Sequence, residues 1–394
     1  MSEASKYHPT GERAWLALAL LQAVGANLLA AKSFEPITLI LALPHLGVTW
    51  LLWLGGRAFG LPGWIAACAA APGAWLLLPH AEDALSPLAV ELAQGAGAIG
   101  LLWLGMGTRR WVGWSMAAAL ALSAAYHHPY WGFLLIALPI IALTDAQRPQ
   151  WLRTAMARGG AVLLLLVAPV AMLALQSVNA PHIWLGSHPS GGLRLLAVAA
   201  PILEEEMLPA ITEQIRPMAA ELIKRRKAEG LERPFSNFNW IRYGVWHKQM
   251  DKSQQMINDL LLFNKDQEAD LYYRKLAWQI IAQRPLDFAR WLLSAQADAL
   301  ITQVARNVWA QAAVVLLLLA GIRRLWRPAV VDPAWLGARR LVANGVWLYL
   351  LGVFWVSLNG APEVWLVNWL AVFPLAGLIA LGLLGLRPVA DAGD

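Results

Sequence analysis

The sequence predicts an all-α polytopic membrane protein with about ten spanning helices, cytoplasmic termini and one helical extracytoplasmic segment. Three observations predict it. Hydrophobic residues make up 58% of the 394-residue chain and charged residues only 14%, against roughly 25% charged in a soluble domain. The apolar residues fall in runs near the ~20 residues that a helix rising about 1.5 Å per residue needs to cross a bilayer. Arginine, finally, collects in alternate loops between those runs.

The apolar runs lie at 14–31, 36–55, 61–79, 88–106, 111–126, 130–144, 157–176, 308–325, 341–358 and 364–386. The first follows Lys6 and Arg13 but is long for a signal peptide, lacks a clear small-x-small cleavage site and is followed by more apolar runs, so it reads as an uncleaved helix. The fifth and sixth are short and separated only by His127, His128 and Pro129, as in a tight hairpin. With the N-terminus inside, fourteen Lys and Arg from Lys6 to Arg387 fall on the inner side, and the short outer loops receive only Lys32. That asymmetry is the positive-inside rule. It divides the chain into a seven-helix module at 1–176, an extracytoplasmic helical domain at 177–305 and a three-helix module at 306–394. If Leu193 to Pro201 spanned, the parity would flip and five arginines would move outside, so that stretch is expected to be interfacial or re-entrant.

The net charge of +6 is distributed as an orientation signal, which excludes a nucleic-acid footprint. The 22 Trp, against 7 Tyr and 9 Phe, suit the headgroup level. Cys68 is the sole cysteine, so an internal disulfide and a thiolate metal cluster are excluded.

The segment 177–305 is more polar. Met218 to Glu229 reads as a helix stopped by Gly230, a residue that tolerates φ > 0. Asp251 or Ser253 is placed to cap a helix with Met256, Ile257, Leu260 and Leu261 on one face. Glu268 to Gln283 puts Leu271, Leu276, Ala277, Ile280 and Ile281 in apolar positions. Pro285 opens the next helix, where its missing N–H costs nothing. That helix carries Phe288, Trp291 and Leu292 beside Arg284 and Arg290, and is expected to lie on the membrane surface before the eighth span.

P-loop, G-x-S-x-G and H-E-x-x-H signatures are absent from the sequence. Chemistry would therefore use polar residues near the outer surface. Glu82 and Asp83, with His80, precede the helix that carries Glu91. Paired carboxylates supply a general base, or oxygen ligands for a divalent cation such as Mg2+ or Mn2+. They equally suit a solvated loop at a helix start. Glu35 precedes Pro36 in the first outer loop and either acts or starts the next helix. His127 and His128 stand beside Tyr130 and Trp131: imidazoles bind phosphate or move protons, while the alternative is an interfacial turn. Ser187 to Arg194 is a Gly-rich turn ending in Arg, suited to present N–H groups and the Arg194 guanidinium to a phosphate, or simply to be a loop. Glu204, Glu205 and Glu206 read as a solvated helix start. Arg242, His247 and Lys248 lie among Trp240, Tyr243 and Trp246, a mixture that fits a sugar phosphate or anionic lipid.

The order of seven spans, an outer segment and further spans resembles the GT-C superfamily of membrane glycosyltransferases. The stretch from Asp270 to Leu293, DLYYRKLAWQIIAQRPLDFARWLL, is similar to the A-x-x-x-I-x-x-x-P helix-turn-helix found before a late span in those enzymes, with Ala277, Ile281 and Pro285 in the motif positions. The resemblance implies inverting transfer of a sugar from a polyprenyl-phosphate carrier to a glycan, lipid or protein acceptor. A carboxylate would deprotonate the acceptor hydroxyl, basic residues would hold the leaving phosphate, and the prenyl tail would meet membrane lipid. The superfamily places that carboxylate in a long first outer loop. Here the loop holds only Glu35, so Glu82 and Asp83 are the expected replacements. A bacterial inner (plasma) membrane follows from the same resemblance. Other readings are an undecaprenyl-linked glycan ligase or polymerase acting through Arg194, Arg242 and His247, a lipid flippase or transporter, and a non-catalytic envelope-assembly subunit. A transporter would carry ionisable groups at mid-membrane, and the spans hold few.

Overall fold

In the computed structural model the described residues are 9–30, 36–76, 95–103, 111–127, 131–144, 191–231, 252–253, 255–257, 267–326, 333–358 and 364–387. They are mostly helical, and no strand occurs among them. The chain forms two compact units. The first comprises Met1–Met172, Asn307–Tyr349 and Asn368–Asp394, and the second Leu173–Arg306 and Leu350–Val367.

The first unit contains α1 (Pro9–Ala30), α2 (Pro36–Ala58) and α3 (Gly63–Leu76), which pack on one another. A helical stretch at 95–103 (α4) is followed by α5 (Trp111–His127) and α6 (Gly132–Thr144). Helix α2 stops in a Schellman turn. Gly60 takes φ +85°, its N–H reaches Arg57 O at 2.9 Å, and Leu61 N–H reaches Gly56 O at 3.1 Å. Leu61 is buried behind the turn, and the Arg57 guanidinium donates to its carbonyl.

Helices α11 (Val308–Trp326), α12 (Pro333–Leu358) and α13 (Val364–Leu386) supply the later apolar runs. Within the first unit α12 and α13 meet backbone to backbone. A Cβ at Gly345 would collide with Phe373 and Pro374, and one at Gly377 with Val342. Small residues at such crossings let helices approach where lipid gives no hydrophobic drive.

Trp103, Trp131 and Trp369 correct the headgroup expectation for tryptophan. All three are fully buried. Trp369 lies edge-to-face on Trp131 at 4.7 Å and on Phe373 at 5.0 Å, and Trp103 meets Phe373 at 5.8 Å. Indoles in this geometry pack as large core side chains. Trp131, expected in an interfacial turn beside His128, belongs to this cluster. Trp15, Trp50, Trp75 and Trp347 remain exposed.

The apolar helices also carry exposed apolar faces. On α11 these are Val315, Leu318, Leu319 and Ile322, and on α1 Trp15, Leu18 and Leu21. A helix apolar on its outer as well as its inner side is suited to a lipid environment. Among the described residues Pro333–Leu358 and Leu366–Leu386 are long and apolar enough to cross a membrane. The pair Pro285–Arg306 and Val308–Arg323 meets the same requirement when taken together. Arg13–Gly25, Met116–Ala125 and Gly132–Ile141 are shorter apolar stretches. The expected run at 157–176 lies outside the described residues.

The second unit is built on α7 (Gly191–Ala199), α8 (Arg216–Ala228), α9 (Gln267–Gln283) and α10 (Pro285–Arg306), with 3-10 turns at Ala200–Ile202 and Glu205–Ala210. Helix α8 ends where expected. Gly230 takes φ +62°, its N–H bonds Lys227 O at 3.1 Å, and Leu231 N–H bonds Arg226 O at 3.0 Å. Pro285 opens α10 as the sequence predicts, and Phe288 N–H closes the first turn on Arg284 O at 3.1 Å.

Several expectations change. The stretch Leu193 to Pro201 is the central helix of this unit. Leu195 through Ala200 are all buried, and α7 packs on α9. The apolar run from Leu195 to Ala200 reads alike in lipid and in a protein core. Leu271 is exposed, while Tyr273, Leu276, Ala277 and Ile280 form the buried face of α9. On α10 the residues Phe288, Trp291 and Leu292 enter the same core, so a different face of that helix is left uncovered. Met256 and Ile257 also join the core, and Ser253 is buried. Asp251, Leu260 and Leu261 lie outside the described residues.

Candidate functional site

Of the residues singled out from the sequence, Glu35, Glu82, Asp83, His128, Trp240, Arg242 and His247 lie outside the described residues. His127 is the last residue of α5. Arg194 is half-buried in the first turns of α7. Arg194 lies in the second unit and His127 in the first.

The environment of Arg194 differs from an open anion nest. The Gly192 N–H donates to Asp270 Oδ1 at 2.7 Å, and the Leu193 N–H donates to the same oxygen at 3.1 Å. Asp270 Oδ2 pairs with Arg274 Nη2 at 3.1 Å, one helical turn along α9. The carboxylate of α9 thus occupies the donors that the Gly-rich turn offers. A helix N-terminus favours an anion, and here the protein supplies one internally. Gly192 allows the approach: a Cβ there would lie 2.8 Å from Asp270 Oδ1 and within clashing distance of its main-chain oxygen. Burial, and then the charge of Asp270, raise the Tyr273 phenol above its ordinary value, so Tyr273 stays protonated at neutral pH.

The other end of the same helical stretch is held by Arg226 from α8. This guanidinium is buried. Its Nη1 donates to Ala200 O at 2.7 Å and Leu203 O at 3.0 Å, and its Nη2 donates to Pro201 O at 2.8 Å. These carbonyls close the turn after α7, where a helix end leaves acceptors without internal partners. Desolvation lowers Arg226 to about 10, an effect opposed by the charge of Glu204. It therefore remains a cation throughout the neutral range, and the cap does not titrate there.

The acidic run after α7 is more engaged than a solvated helix start. Arg284 Nη1 lies 3.0 Å from Glu204 and its Nη2 lies 3.1 Å from Glu206. Lys227 pairs with Glu205 at 2.6 Å on the surface. Arg284 thereby ties the α9–α10 turn to the turn after α7. These pairs are part-exposed, so replacing Arg284 by Ala is expected to cost about 1 kcal/mol. Denaturant unfolding should show a smaller difference from wild type at high salt.

Sequence reasoning missed Asp270, Arg226 and Arg284. The spacing of Asp270 and Arg274 was a local signal of an ion pair. Nothing local marked Arg226, whose partners are main-chain carbonyls 23 to 26 residues away. Among the described residues no group of three His, Cys, Asp or Glu side chains is placed to hold a metal ion. No family model, curated protein or solved structure matches the chain.

Proposed function

We propose that the chain is a multi-pass glycosyltransferase of a bacterial inner membrane, with about ten spans, cytoplasmic termini and its second unit on the outer side. It moves a sugar from a polyprenyl-phosphate carrier to an extracytoplasmic glycan, lipid or protein acceptor. The observation that carries this reading is the α9–α10 pair. Ala277 is buried, Ile281 packs against the core, and Pro285 opens α10 one residue beyond the turn. A helix-turn-helix followed by an apolar helix is what the superfamily motif implies, and this arrangement supports the reading.

In the proposed reaction Asp83 or Glu82 takes the acceptor hydroxyl proton. The acceptor oxygen attacks the anomeric carbon, the bond from that carbon to the phosphate oxygen breaks, and the polyprenyl phosphate leaves with the bonding pair. Arg242, His247 and Arg194 supply positive charge for the leaving phosphate, and Trp240 supplies a face for the sugar. His127 and His128 are further phosphate candidates, and Glu35 is the remaining candidate base. A divalent cation would join the carboxylates through oxygen ligands.

The test is transfer from polyprenyl-phosphate sugars by the purified protein, with and without Mg2+ or Mn2+. Glu82→Gln or Asp83→Asn is expected to lower turnover by roughly 100- to 10,000-fold, the usual contribution of a positioned general base. Turnover that survives both changes but falls with Arg194, Arg242 or His247 would instead favour the ligase or polymerase reading. Absence of transfer from any such donor would remove the enzyme reading.

A further inference from the structure

Helix α10 has two apolar faces. One enters the core through Phe288, Trp291, Leu292 and Ala295. The other is exposed among the described residues: Leu286 is 74% exposed, Leu293 62%, Leu300 57% and Val304 47%. At about 100° per residue these four, with Arg290, fall in a stripe roughly 80° wide. It runs about 27 Å along the helix at 1.5 Å per residue.

The charges on α10 are sorted in the same way. Asp298 is buried. Asp287 is mostly covered and lies against Arg284 at 3.8 Å and Arg290 at 3.5 Å. Arg290 is 64% exposed at its side chain, and Arg306 is exposed at the helix end. The uncovered face therefore combines leucines with the Arg290 cation, while the acids of the helix turn away from it. Helix α9 has a similar edge, with Leu271, Lys275 and Trp278 exposed at helical spacing. Asn307, whose side chain accepts the Trp309 N–H at 3.0 Å, starts α11 of the first unit, which has exposed apolar positions of its own at Val308, Val315 and Ile322.

We infer that the Leu286–Leu293–Leu300–Val304 face of α10 lies in the headgroup–acyl boundary of a bilayer, and that Arg290 binds anionic lipid headgroups there. Leucines sink a few ångströms below the phosphates while a long cationic side chain reaches back to them. The inference rests on the membrane reading but not on the transferase reading. A soluble partner would have to cover a long apolar stripe on a helix that the chain itself joins to an apolar segment. The bilayer covers it at no further ordering cost.

The test uses the full-length protein in a Cys68→Ala background, reconstituted in phosphatidylglycerol-containing vesicles. Single cysteines carrying a nitroxide replace Leu293, Leu300, Leu318 on α11 and, as a water-facing control, Lys224, whose side chain is 80% exposed. Labels at 293 and 300 are expected to be several-fold more accessible to oxygen, relative to a soluble nickel chelate, than the label at 224. A ratio at 293 and 300 equal to that at 224 overturns the inference, as does exclusion of both reagents, which would mean protein cover or a second copy. If the label at 318 reads lipid while 293 reads water, the inference alone fails; if 318 also reads water, the membrane reading fails with it. Arg290→Glu should move the label at 293 toward water in phosphatidylglycerol vesicles and leave it in place in phosphatidylcholine. Equal behaviour in the two lipids overturns the headgroup assignment.

Discussion

Replacing Arg226 by Met should destabilise the second unit by about 3–5 kcal/mol. The methionine refills much of the apolar volume, so the loss isolates the hydrogen bonds. Three buried carbonyls, those of Ala200, Pro201 and Leu203, lose the donors they now have. Each buried acceptor left without a partner costs roughly 1–3 kcal/mol, and the sum is reduced where water enters. Arg226→Lys should recover only part of the loss. An ammonium on a flexible stem cannot reproduce a planar fork that spans carbonyls on both sides of one turn. The measurement is resistance to limited proteolysis within 191–231, read beside denaturant unfolding of the purified protein. Wild-type behaviour of Arg226→Met would show that the turn after α7 is held by packing alone.

The second large effect is expected at the other end of α7. Asp270→Ala removes the acceptor for two main-chain N–H groups and the partner of Arg274. Losing an N-terminal cap costs about 1 kcal/mol, and removing one ion-pair partner from a part-buried guanidinium adds to it, for about 2–4 kcal/mol in all. Asp270→Asn keeps one acceptor oxygen and should lose less. Gly192→Ala should approach the Asp270→Ala effect by a different route, because the new Cβ meets Asp270 itself. The two changes break one contact, so the double variant should be much less destabilised than the sum of the singles. Additive losses in that cycle would show that Gly192 and Asp270 act independently.

What was legible in the sequence was chemistry local to a few residues. Gly230 ended α8 because a left-handed residue completes the turn whatever surrounds it, and Pro285 began α10 because a missing N–H is tolerated only there. The placing of helices followed from the lengths of the apolar runs. What was not legible is what covers an apolar surface. Leu195 through Ala200 carry no mark distinguishing lipid from protein, and only the presence of α9 decides it. Trp103, Trp131 and Trp369 look like interfacial anchors until Phe373 and its neighbours supply edge-to-face partners. On α10 the period of the helix was clear, but Phe288, Trp291 and Leu292 went inward and left the leucines outside. The candidate site was legible least of all. Arg194 is half-buried on a helix whose first donors belong to Asp270, a residue distant in sequence with no motif to announce the pairing.

That pairing also orders events at the ribosome. Helix α7 receives its closing guanidinium from a residue made about two dozen positions later, but the carboxylate that seats its first turn follows after 78 residues. At the usual ~5–20 residues per second, several seconds separate emergence of the helix from arrival of that carboxylate. During that interval the first turn of a short helix, apolar from Leu195 to Ala200, waits for late-made α9 to seat it.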